Sequence, residues 1–151
     1  MSPLVLTLKF VHVVSVIVAV GANVSYVSWM RWAGHDRDRV VFAIQGVRRL
    51  DRLVANPAYV LVLLTGLGMV LAGYYSFDQA WIRAALGLYA TVALVGIGIY
   101  APLIRRQLAE AERDPSSAAY AAVARRSNVL GALTTAIVLV IVFLMVVKPT
   151  L

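Results

Sequence analysis

Residues 4–32 read LVLTLKFVHVVSVIVAVGANVSYVSWMRW, a run in which Lys9 is the only charge before Arg31. A helix over 4–32 extends about 43 Å at 1.5 Å per residue, against roughly 30 Å of bilayer hydrocarbon. The run is too long for the core of a cleaved signal peptide, and no basic stretch precedes it, so it reads as a retained transmembrane helix. Three more apolar segments follow, at about 57–75, 81–104 and 127–147. None alternates in polarity as a barrel strand does. The expected fold is an all-α membrane protein, a single four-transmembrane-helix bundle over 1–151.

Composition agrees with that reading. Of the 151 residues, 62% are apolar and 14% charged, where a soluble domain carries about a quarter charged. The net charge of +7 invites a nucleic-acid partner, but its distribution points elsewhere. Arg31, Arg37, Arg39, Arg48, Arg49 and Arg52 cluster between the first two segments, and Arg105, Arg106, Arg113, Arg125 and Arg126 between the last two. Only Lys9, Arg83 and Lys148 lie on the opposite side. The positive-inside bias then puts both long loops in the cytoplasm and both termini outside. The expected partner is lipid, with no nucleic acid. No cysteine is present, which excludes disulfides, iron–sulfur clusters and thiol catalysis.

The charged loops carry helical patterns of their own. Val40, Ile44, Val47, Leu50 and Val54 recur at helical spacing, so 36–56 reads as an amphipathic cytoplasmic segment suited to lying on the membrane surface. Asp114-Pro115-Ser116 reads as an N-cap with proline in the first turn, and 105–126 as a cytoplasmic helical hairpin. Within the membrane, helices associate through small and polar residues. The first helix shows such a face at His12, Ser15, Ala19, Ala22 or Asn23, and Tyr26, with valines filling much of the rest. Thr65, Gly66, Gly68, Ala72 and Gly73 on the second helix, Ala84, Gly87, Thr91 and Gly98 on the third, and Asn128, Gly131 and Thr135 on the fourth are the matching contact positions.

One constellation in these segments suits chemistry. His12 is the only histidine in a membrane segment, since His35 falls in the first charged loop. Helix two runs antiparallel to helix one, which sets Met69 at a depth comparable to His12. Imidazole and thioether are axial ligands of b-type haem, and Lys9, Arg83 and Lys148 on the outer side suit its propionates. Every part also has a packing role. The histidine can bond a neighbouring hydroxyl, Met69 can fill space and Lys9 can snorkel. No aspartate or glutamate falls in a membrane segment, and no P-loop, nucleophile elbow or zinc signature is present. Asp36 and Asp38 beside His35 alternate with Arg37 and Arg39 and read as a solvated helix start.

Leu8-Lys9-Phe10-Val11-His12-Val13-Val14-Ser15 resembles the lysine–aromatic–x–histidine opening of several small bacterial membrane families. Arg52-Leu53-Val54-Ala55-Asn56-Pro57, followed by Leu64-Thr65-Gly66-Leu67, is similar to a predicted integral membrane family of unknown function. More distantly the chain is similar to copper-resistance D-type domains and to the bacterial haem-binding protoporphyrinogen oxidase. That last resemblance implies haem ligation at His12, without carrying over the enzyme's activity, because its later motifs have no match. The copper resemblance implies a metal on His12 and scattered methionines. Two expectations stand side by side: a small haem-binding, redox-associated membrane protein, or a cofactor-free accessory subunit of a homodimer or larger membrane complex.

Overall fold

The computed structural model describes residues 2–149. The chain folds as α1 (Pro3–Ala33), α2 (Arg37–Leu50), α3 (Asn56–Leu71), α4 (Ala80–Val95), α5 (Ala101–Arg113) and α6 (Ala118–Val147), with no strand among the described residues. Side chains start the helices: Ser2 accepts from Val5 N–H, Asp36 from Arg39 N–H at 2.9 Å and Ser117 from Tyr120 N–H at 3.1 Å. The cap of α6 is therefore Ser117, three residues beyond the Asp114 expected from the sequence. Asp114 instead turns its carboxylate onto the N–H of Ser116 at 2.8 Å. Gly34 ends α1 at φ 62, a conformation that side chains with a β-carbon resist.

Four helices are long and apolar enough to cross a membrane: Pro3–Ala33, Arg37–Leu71, Ala80–Arg113 and Ala118–Val147. Residues 36–56, read as a surface-lying stretch, thus form the near half of the second long helix. Two of the four are interrupted by a π-turn, at Asp51–Ala55 and Gly96–Tyr100, each two residues before a proline. Proline lacks an N–H, and its ring clashes with the carbonyl four residues back. In each helix the residue before the proline bonds five residues back, Asn56 N–H to Asp51 O and Ala101 N–H to Gly96 O. The widened turn absorbs Pro57 and Pro102 without breaking the rod.

The bundle is closed at one end and open at the other. At the arginine-rich end, α2 packs on α1 and α5, and α5 on α6. Ala33, Val40, Ala43, Ile44, Ile104, Leu108 and Ala111 make the core there. Towards the termini, α1 packs along α3 and α4 along α6, while α3 approaches neither α4 nor α6 among the described residues. The two pairs stand apart at α3, and among the described residues their backbones meet only where α1 touches α6.

That gap overturns one expectation. Val5, His12, Ser15, Ala19 and Tyr26 are buried on α1, on the face read from the sequence. Ala84, Gly87, Thr91 and Gly98 instead point away from the bundle, and a β-carbon on Gly87 or Gly98 meets nothing within 4 Å. Where α4 is separated from α3, small side chains cannot span the distance. Trp81, Ile82 and Tyr89 face the gap in their place.

Candidate functional site

Between the separated pairs lies a cavity of about 480 Å³, within the roughly 300–1,000 Å³ usual for small-molecule sites. One wall comes from α1 and α3, through His12, Val13, Val62, Gly66 and Met69, and the other from α4 and α6, through Ile82, Tyr89, Val142 and Met145. The lining is overwhelmingly apolar, as expected of a space framed by membrane helices. Lys9, Tyr75, Trp81 and Lys148 line it toward the termini. There Tyr75 meets Trp81 edge-on at 5.2 Å between centroids, and the Lys148 ammonium lies 5.0 Å from the Tyr75 ring centre.

His12 is buried, with Nδ1 3.0 Å from Thr65 Oγ1. The hydroxyl of Thr65 has one proton and turns it back along α3, 2.5 Å from the carbonyl of Leu61. Thr65 must then accept from the imidazole, which assigns the proton to Nδ1 and leaves a lone pair on Nε2. Gly66 makes this possible: a β-carbon there would stand 3.3 Å from His12 Cε1 and 3.7 Å from Nδ1. Thr65 and Gly66 thus hold the Nδ1–Cε1 edge of the ring, and the Nε2 edge is the one α3 does not engage.

Beneath the cavity, polar side chains tie three helices together. Tyr89 on α4 donates to the backbone carbonyl of Tyr59 at 2.9 Å, and Asn23 on α1 bonds the Tyr59 hydroxyl. This clasp joins α4 to α3 where their backbones do not meet. Deeper still, Tyr26 donates to Asp51 Oδ1 at 2.8 Å. The sequence reading placed 36–56, and Asp51 with it, in an amphipathic cytoplasmic segment and found no carboxylate in a spanning helix. The structure places it on the second long helix, turned toward α1. The signal was present, since Val40, Ile44, Val47 and Asp51 share one helical face.

The remaining candidates separate. Met69 is buried and lines the cavity, but on the His12 wall and one helical turn beyond Thr65 toward the termini. Lys9 lines the cavity, whereas Arg83 lies outside the lining and donates to the carbonyls of Phe77 and Asp78 at 3.1 and 3.2 Å, bracing the turn between α3 and α4. Asp36 is engaged in its cap, and no group of three or more metal-binding side chains occurs among the described residues. Met145, across the cavity on α6, was not singled out from the sequence, because a methionine in an apolar run carries no local signal.

Long apolar helices with an apolar cavity between them define the class: a helical, multi-pass integral membrane protein. The chain matches the family described as predicted integral membrane protein (DUF2269) over residues 6–149, and it belongs to that family. No curated protein and no solved structure matches it.

Proposed function

We propose that the cavity holds b-type haem, with His12 as axial ligand, and that the protein serves electron transfer in the membrane. The observation that carries this reading is the ring of His12, anchored through Nδ1–H to Thr65 at 3.0 Å beside a cavity of about 480 Å³. Metal-binding histidines nearly always donate their other N–H to such an acceptor, which fixes tautomer and orientation. Apolar walls suit a macrocycle, and Lys9 and Lys148 at the rim suit its propionates. Met69 shares the wall of His12, so axial ligation by this chain rests on His12. Bound haem supplies one-electron chemistry. The protein's part is to fix the imidazole through Thr65 and Gly66, to exclude water, and to close the floor with the clasp of Asn23, Tyr59 and Tyr89.

The proposed setting is a bacterial inner membrane, with the eleven arginines of one end in the cytoplasm and both termini outside. Because the chain has no cysteine, single cysteines introduced at His35 and Phe77 report sidedness directly with a membrane-impermeant thiol reagent. Labelling of the first in intact spheroplasts overturns this orientation.

The test of function is an absorption spectrum of protein purified in mild detergent from haem-replete cells, oxidised and reduced, beside His12→Ala. The expected result is a haem spectrum that disappears in a variant still helical by circular dichroism. A colourless wild type, after haem reconstitution as well, overturns the reading. The outward face of Ala84, Gly87, Thr91 and Gly98 favours a second reading, a cofactor-free subunit that packs this face on a second copy or a larger complex. Co-purification of a stoichiometric partner with colourless protein supports it.

A further inference from the structure

A second concavity, unrelated to the haem reading, lies on the flank of the arginine-rich half. It is a groove of about 270 Å³ between α1 and α2 with its π-turn, lined by Trp29, Phe42, Gly46, Leu50, Leu53 and Arg49. Phe42 is 66% exposed and Leu53 61%, so the groove opens outward and away from the core. Gly46 lies against Trp29, whose ring would be in ordinary contact, 3.8 Å, with a β-carbon there. The Trp29 and Phe42 rings face one another at 6.3 Å between centroids, tilted by 33°.

Depth identifies the surroundings. From Pro3 to Trp29 is about 39 Å along the helix, so a hydrocarbon layer of roughly 30 Å ends short of Trp29 and leaves it at the interface. The second long helix runs back into the membrane from Phe42 through Arg49 to Leu53, so the Trp29–Phe42 end of the groove lies among headgroups and its Leu53 end reaches acyl chains. The charge in it is Arg49, which has no acidic partner: the one ion pair among the described residues joins Arg113 to Glu110. The acid nearest in sequence, Asp51, accepts from Tyr26. A guanidinium beside an apolar slot at the headgroup level matches a phosphodiester in its donor geometry. Arg48 and Arg52 next to it in sequence add positive field, which favours a lipid of net negative charge.

We propose that this groove is a binding site for an anionic phospholipid, with the phosphate on Arg49 and one acyl chain running inward over Leu53 and Val54. The test uses the full-length protein, delipidated in detergent and titrated with phosphatidylglycerol or phosphatidylcholine of identical chains, with bound lipid read by native mass spectrometry. Wild type should retain one phosphatidylglycerol with about fivefold preference over phosphatidylcholine, which carries the same phosphodiester but no net charge, the effect of one basic residue on a charged lipid. Arg49→Gln should weaken retention of both lipids and reduce the preference, and Gly46→Leu, which fills the slot, should weaken retention of both with the preference unchanged. Arg106→Gln, an exposed arginine of the same end outside the groove, should behave as wild type. As a second readout, phosphatidylglycerol with brominated chains should quench a fluorescence component that Trp29→Phe removes. Equal losses in Arg49→Gln and Arg106→Gln would show charge acting without a site and overturn the proposal. So would absence of preference in wild type, or a stable pair of chains that excludes lipid.

Discussion

Replacing Thr65 with valine removes one hydroxyl and almost no volume, and it isolates the bond that orients His12. In the native protein Nδ1–H donates to Thr65 Oγ1 at 3.0 Å, on a histidine 8% exposed. Valine cannot accept, and a buried donor left without a partner costs about 1–3 kcal/mol. Membrane helices reduce that figure, because polar groups of separated helices find other partners. Coupling energies there average about 0.6 and reach about 1.7 kcal/mol. With Gly66 packed on the ring and solvent excluded, we expect a coupling of about 1 kcal/mol. The assay is a double-mutant cycle over His12→Phe and Thr65→Val, unfolded reversibly by sodium dodecyl sulfate in mixed micelles. The double variant should be less destabilised than the sum of the singles by that amount. Thr65→Ser, which keeps the acceptor, should recover most of the loss. Nitrogen-15 NMR of labelled histidine gives an independent readout: His12 should be neutral, with its proton on Nδ1. A coupling indistinguishable from zero, or a proton on Nε2, would refute the reasoning, because the free lone pair would then point at Thr65 instead of away from α3.

Other outcomes follow from the same packing. Ile44, fully buried in the arginine-end core, should cost about 2–5 kcal/mol on truncation to alanine, measured in the same unfolding assay. Tyr26→Phe removes the 2.8 Å bond to Asp51 and should destabilise by about 1.5–3 kcal/mol, the range for a hydrogen bond to a charged group. A near-zero value would show that Asp51 is satisfied elsewhere. Gln107 is 2% exposed and its Oε1 has no partner among the described residues, so Gln107→Leu should leave stability unchanged or raise it by about 1 kcal/mol. A clear loss would reveal an ordered water or partner on that oxygen.

Four membrane helices and the buried face of α1 were legible in the chain because lipid imposes them locally. Every backbone polar group must be satisfied within its own segment, so length and apolarity of the runs at 4–32, 57–75, 81–104 and 127–147 suffice. His12 stood out for the same reason, as a costly residue in an apolar run. Tertiary structure supplied what no local rule contains. The π-turns that carry the helices through Pro57 and Pro102 turned a supposed surface segment into the near half of a spanning helix, and with it brought Asp51 onto Tyr26. The separation of α3 from α4 opened the cavity, turned Gly87 and Gly98 outward, and made Tyr89 the link across the gap. Such choices depend on which helices touch. In lipid, where apolar contact between helices gains little, hydropathy is silent on that question, and only the fit of particular side chains, such as His12 against Thr65 and Gly66, settles it.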